Sequence, residues 1–170
     1  KDLSEEALEP LKDNFLTGRT RTSQQDAEHA IHQMVEIAAR ALSPGINDPY
    51  TAIACIDNLS NTMAYLTTVK FPSPYRVGEQ NRLRIYANAL TFEGMMGAAF
   101  NAIRQYSKAN PPVIIHLMEA MSTLHDFAVE QQHKQVIKKH AEMILSLAER
   151  SIDEKNDLED LQKRFDAIQG

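Results

Sequence analysis

The sequence contains no tryptophan and a single cysteine, Cys55, so no disulfide can form within its 170 residues. Cys55 falls among apolar residues of an expected helix and reads as a buried small hydrophobe rather than a reactive thiol. No apolar run approaches the roughly 18 residues that a bilayer-crossing helix needs, and no signal-peptide pattern opens the chain. Charge of one sign is also scarce. The 18 Lys and Arg stand against 23 Asp and Glu, leaving −5, which gives no general attraction to DNA, RNA or anionic lipid and disfavours nucleic-acid binding. There is no Gly-x-Ser-x-Gly elbow and no phosphate-binding glycine loop, so serine catalysis and nucleotide hydrolysis are without support. Six histidines invite a search for metal, but His29-x-x-His32 is the one pair at helical ligand spacing, and no matching carboxylate set accompanies it on an apolar face. No metal and no cofactor is expected. His116, His125, His133 and His140 are read as surface or partly buried polar positions.

What the chain does have is helical periodicity almost throughout. Ser4, Glu5 and Glu6 open a short helix that carries Leu8, Leu11, Phe15 and Leu16 and ends at Gly18. A second helix over about 24–42 places Ile31, Met34, Val35, Ala38 and Leu42 at spacings of three and four, with Ile37 and Ala41 widening the face to that of a central helix. A third over about 49–68 does the same with Ala52, Ile56, Leu59, Met63 and Leu66. Thr91 caps a fourth helix with Met95, Met96, Ala99, Phe100 and Ile103. Within it, Gly94 and Gly97 each cost about 1 kcal/mol against alanine, and close approach of another helix is the expected compensation. Asn110-Pro111-Pro112 starts a fifth helix by the same cap-then-proline device as Asp48-Pro49. A sixth follows Glu130–His133, and a last one starts near Asn156. Between the third and fourth, Phe71–Tyr75 is a proline-stiffened loop. Arg82–Tyr86 then alternates polar and apolar residues, a weak strand signal without an evident partner. The expected fold class is all-α: one domain over residues 1–170, a bundle of about six or seven helices, with the option of one short strand at Arg82–Tyr86.

The densest run of structural signals is Ala41-Leu42-Ser43-Pro44-Gly45-Ile46-Asn47-Asp48-Pro49-Tyr50-Thr51-Ala52. Ser43-Pro44-Gly45 stops a helix, because the residue before proline leaves the α region and glycine can take the left-handed conformation. Asp48 then caps the next helix, with Pro49 in its first turn. Ser43 and Asn47 are thereby held between one helix's negative end and another's positive end. Upstream, Arg19 and Arg21 flank a helix start at which Thr22 with Gln25, or Ser23 with Asp26, forms a capping box. Free amides and guanidinium groups there suit a carboxylate or phosphate; pairing of the arginines with Asp26 or Glu28 is the competing reading.

Gly18-Arg19-Thr20-Arg21-Thr22, Gln25-Asp26, the Ala41–Ala52 run and Ile103-Arg104-Gln105-Tyr106 together resemble the C-terminal soluble part of the bacterial predicted membrane proteins called domain of unknown function 2254. The likeness covers most of residues 10–130 in the same order, and the Ser-Pro-Gly-x-Asn-Asp-Pro-x-Thr-Ala run is its most specific part. The resemblance implies N-terminal transmembrane helices in a longer, membrane-anchored protein, and no established activity. The polar set it marks, Arg19, Arg21, Thr22, Gln25, Asp26, Ser43, Asn47, Asp48, Arg104 and Gln105, is the candidate site for a small polar or anionic ligand. The expected role is non-enzymatic: ligand sensing, assembly or protein interaction, in a homo-oligomer that docks on its own transmembrane segment. The alternative is an enzyme or transporter-coupled domain built around Asn47–Asp48 and Arg19–Asp26. An enzyme would show a deep polar pocket holding an ionisable group strongly shifted by burial. An interaction domain would show an exposed apolar surface instead.

Overall fold

The computed structural model describes residues 26–169. The N-terminal helix expected after Ser4, and Arg19, Arg21, Thr22, Ser23 and Gln25, lie outside the described residues; Asp26, expected inside the first turn as the capping-box partner of Ser23, is instead the N-cap, in extended conformation. Six helices follow: α1 Ala27–Ala41, α2 Pro49–Leu66, α3 Phe92–Tyr106, α4 Pro111–Phe127, α5 Gln131–Ser151 and α6 Lys155–Gln169. The fold is all-α apart from a small two-stranded antiparallel sheet between α2 and α3.

Side-chain caps open three of the six helices. Asp26 accepts from the His29 amide at 3.1 Å, Asp48 from the Thr51 amide at 3.1 Å, and Thr91 from the Gly94 amide at 3.1 Å. Asn110 departs from the expected pattern. Its side chain makes no capping hydrogen bond, and the start of α4 rests on the proline at its first position and on the Asn110 carbonyl, which accepts from Val113 and Ile114.

The core is one cluster of aliphatic, methionine and phenylalanine side chains from all six helices. The breadth of apolar residues on α1 suggests a central helix, but Ile37 is 48% exposed and α1 buries one face only. The central element is α4, which buries Val113, Ile114, Leu117, Met118, Ala120, Met121 and Leu124 against α2, α5 and α6. Gly94 and Gly97 do not admit a neighbouring helix. A Cβ at Gly94 would meet the Thr91 hydroxyl at 3.1 Å, and one at Gly97 the Asn101 amide nitrogen at 3.2 Å, contacts that stay with α3 and its own cap. Met95 and Met96, adjacent in sequence, are in the core. Cys55 is buried, and burial pushes its thiol above the usual range.

The expected strand exists and has a partner that the sequence does not announce. Strand β1, Tyr75–Val77, pairs antiparallel with β2, Leu83–Tyr86, setting Tyr75 opposite Tyr86 and Arg76 opposite Ile85. A bulge between Arg76 and Val77 shifts the register so that Val77 faces Leu83. The turn is closed by the Gly78 amide donating to the Arg82 carbonyl at 2.9 Å, with Gln80 and Asn81 in the left-handed region at φ 61° and 57°. All seven strand residues are exposed.

No helix among the described residues is long and apolar enough to cross a membrane.

Candidate functional site

In the turn between α1 and α2, the polar residues that stand out in the sequence have local jobs. The Ser43 carbonyl accepts from the amides of Ile46 and Asn47 at 3.0 and 2.9 Å, and the Asp48 amide donates back to the Ala41 carbonyl at 2.8 Å. The Ser43 hydroxyl donates to the Arg40 carbonyl at 2.7 Å, an acceptor it shares with the Ser43 amide at 3.1 Å. The residue that takes the left-handed conformation is Asn47, at φ 47°, whereas no glycine among the described residues has a positive φ. The expectation for Gly45 is therefore corrected, because asparagine tolerates that region well enough to carry the reversal itself. The Asp48 carboxylate also accepts from the Thr51 hydroxyl at 2.5 Å, and this bond, ahead of the Thr51 amide, holds its carboxyl below the usual range. Asp48→Ala is expected to lower the urea midpoint of unfolding, and Asp48→Asn, which keeps an acceptor, to recover most of the loss. An unchanged midpoint in the alanine variant would remove Asp48 from this role.

Beside this turn the α3 residues of the candidate set come into play. A cavity of about 520 Å³ is lined by Leu42 and Pro44 from the turn, Gln105 and Lys108 from the end of α3 and beyond, and Arg150 and Asp153 from the end of α5. The structure therefore brings Gln105 to the turn that holds Ser43. Asp26 is elsewhere, at the opposite end of α1, where it caps the first turn. Helices α1, α3 and α5 end together at this cavity and place Arg40, Arg104 and Arg150 in their last turns, where the negative end of a helix dipole favours a cation. Arg104 is partly buried, and burial first and the charge of Arg150 second push its guanidinium below the usual range. Its Nε is buried without a hydrogen-bond partner. Among the described residues, no carboxylate forms an ion pair with Arg104, Lys108 or Arg150. Lys108 and Arg150 carry no sequence signal of their own, because they are some forty residues apart and meet only through packing of α3 against α5.

A second polar cluster is likewise absent from the sequence pattern. His116 on α4 places Nε2 2.6 Å from Asp57 Oδ1 on α2 and Nδ1 3.0 Å from Glu119 Oε2. Arg164 on α6 pairs with Glu119 at 2.9 Å and Asp160 at 2.8 Å. His116, Asp57, Glu119, Arg164 and Ser60, whose hydroxyl is buried without a partner, line an open cavity of about 680 Å³. The combination of serine, histidine and aspartate invites comparison with a nucleophilic triad, but both ring nitrogens face carboxylate oxygens. None is left to take a proton from a hydroxyl. The cluster ties α2, α4 and α6 together.

A third cavity, of about 560 Å³, lies at the other end of α3 between Val69, Phe71, Leu90, Phe92, His133 and Val136. His133 stacks on Phe92 with ring centroids 4.2 Å apart. His133 and His140 are buried at 7% and 4% exposure, against the expectation of surface or partly buried positions. They fall on the apolar stripe of α5 with Ile137, Ala141 and Ile144, which is the signal that places them inside. Desolvation is the largest cause that lowers His140 to about 4, followed by the charges of Arg104 and Lys139. The described residues hold no group of three or more His, Cys, Asp or Glu able to bind a metal, and His32 faces Glu28 at 3.7 Å.

Comparison with known proteins leads to a family without a described activity. The uncharacterized protein Mb1321c of Mycobacterium bovis and the uncharacterized proteins MT1328 and Rv1290c of Mycobacterium tuberculosis are each 29% identical to this chain over 140 residues. Each match covers 82% of this chain and 27% of the relative, so the chain spans about a quarter of the length of these relatives. No solved structure matches. The family model described as predicted membrane protein (DUF2254) matches residues 1–123, which include the α1–α2 turn, Arg104, Gln105 and Lys108, and to that family the chain belongs.

Proposed function

We propose that this chain is a non-enzymatic sensing module of a membrane protein, and that it takes a small anion in the cavity between the α1–α2 turn and the ends of α3 and α5. The observation that carries this reading is the gathering of Lys108 and Arg150 around one cavity, with Arg104 near enough to feel the charge of Arg150 and no ion pair neutralising any of the three among the described residues. Helix dipoles account for one arginine at each helix end. Lys108 stands in the single 3-10 turn Ser107–Ala109 that continues α3, so this one helix end carries two cations, and the Arg104 Nε is buried without a hydrogen-bond partner. Gln105 adds an amide that can donate to an oxyanion, and Asp153 is the carboxylate in the wall that sets an upper limit on the charge the site accepts. A catalytic reading has less support. His140 is the histidine most strongly shifted, yet it stands in the core against Phe100 and lines none of the three cavities.

Calorimetric titration with inorganic phosphate tests the site. Saturable binding at one phosphate per chain is expected, weakened about tenfold by Arg150→Gln and by Lys108→Gln, since a charge-assisted hydrogen bond is worth roughly 1.5–3 kcal/mol. Equal affinity in the parent and both variants would take the anion out of this cavity.

A further inference from the structure

Five of the large hydrophobic side chains that stand exposed on this protein are crowded into the β1–β2 hairpin. Tyr75, Val77, Leu83, Ile85 and Tyr86 are each between 57% and 63% exposed. The same segment carries Arg76, Arg82 and Arg84 against one carboxylate, Glu79. Among the described residues none of these arginines is in an ion pair, and Arg76 instead donates to the Ser73 carbonyl. The hairpin therefore combines apolar exposure with a local positive charge, on a chain whose net charge is −5. A free two-stranded hairpin with both edges open is marginal in water, and apolar exposure of this density marks a surface that is covered in use.

We infer that the β1–β2 hairpin docks on an anionic lipid surface. Tyr75 and Tyr86 stand at its root with ring centroids 5.4 Å apart, the amphipathic aromatic type that settles at the level of lipid headgroups. Arginine on the same two strands can reach phosphate while its stem lies along apolar surface. A second copy of the chain is a poorer occupant. Pairing two such hairpins edge to edge brings their arginines together, and like charges opposite one another oppose strand pairing. The family of predicted membrane proteins to which the chain belongs, and relatives of which it spans about a quarter, put a bilayer within reach. Tethering near that bilayer lets a weak contact be populated.

Flotation of the chain with vesicles tests this. Vesicles of equal parts phosphatidylcholine and phosphatidylglycerol should carry the chain, and vesicles of phosphatidylcholine alone should not. Changing Arg76, Arg82 and Arg84 together to glutamine should lower partitioning by about a hundredfold, from roughly fivefold per basic residue near an anionic surface. These positions lie outside the helical core, so an unchanged helical circular dichroism spectrum verifies that the variant is folded. Because the chain has no tryptophan, Ile85→Trp supplies a lone reporter, whose emission should shift to the blue on the anionic vesicles. Absence of binding to either vesicle, equal binding to both, or undiminished binding of the triple variant would each overturn the proposal. So would a hairpin-dependent dimer in sedimentation with no vesicle binding, which would assign the surface to a second copy.

Discussion

Lowering the pH from 7 to 4 is expected to cost this protein about 3 kcal/mol through His140 alone, the worth of a folded-state value near 4 against an ordinary 6.5. The ring is 4% exposed on α5, with Phe100 at a centroid distance of 6.5 Å in an edge-on arrangement. Burial is the main reason that it resists protonation, and Arg104 and Lys139 add to it while Glu93 opposes. The sign follows from proton counting. Between pH 6.5 and about 4 the unfolded chain binds a proton that the folded chain refuses, so stability falls as pH falls through that window and is level above it. Urea unfolding at pH 7 and pH 4.5, compared between the parent and His140→Leu, isolates the residue from the carboxylates that titrate nearby. A shallower pH dependence in the variant is the expected result; equal dependence would mean that the imidazole is hydrated in the folded state.

Phe100→Ala should be more damaging still, at about 3–5 kcal/mol. Phe100 is 1% exposed and among the largest side chains in the core. Truncating it removes apolar burial and leaves a cavity that the surrounding helices can close only in part. Since total stability of a domain is about 5–15 kcal/mol, the loss takes a large share of it. Phe100→Leu, closer in volume, should cost about 1.5 kcal/mol or less. Denaturant midpoints of the two variants check this order, and equal midpoints would mean that the ring is not packed. The effects at Phe100 and His140 are also coupled. Water admitted beside His140 by the alanine variant should flatten the acid dependence just described, so their combined effect should be smaller than the sum. Strict additivity would show that Phe100 does not keep His140 dry.

The helices are legible in the sequence because their apolar residues recur at three and four, and Asp48 and Thr91 announce starts that the hydrogen bonds reproduce, whereas Asp26, expected inside the first turn as the partner of Ser23, is itself the cap. The turn is legible in kind but not in detail. Gly45 has the general licence for a left-handed conformation, yet Asn47 uses it, because local hydrogen bonding to Ser43 decides where the chain reverses. Strand β1 is hidden by its length, three residues between Pro74 and Gly78, and its existence depends on pairing rather than on its own pattern. Of the polar residues marked by the family resemblance, Gln105 lines the cavity, while Ser43, Asn47 and Asp48 serve the neighbouring turn; Lys108, Arg150 and the Asp57–His116–Glu119 contact come together only once separate helices are packed side by side.

Helices α3 and α5 run parallel, with Phe92 and His133 at one cavity and Gln105 and Arg150 at another. The fifteen residues of α3 separate those cavities by about 22 Å. Tyr86 of the hairpin lines the first, so a bilayer docked there as proposed, with α3 upright on it, would leave the cationic cavity well over two screening lengths away, the Debye length being about 8 Å at physiological salt. Anions are depleted close to an acidic lipid surface. At that distance the depletion has decayed, and the cavity meets the concentration of the open solution rather than that of the membrane's ionic atmosphere.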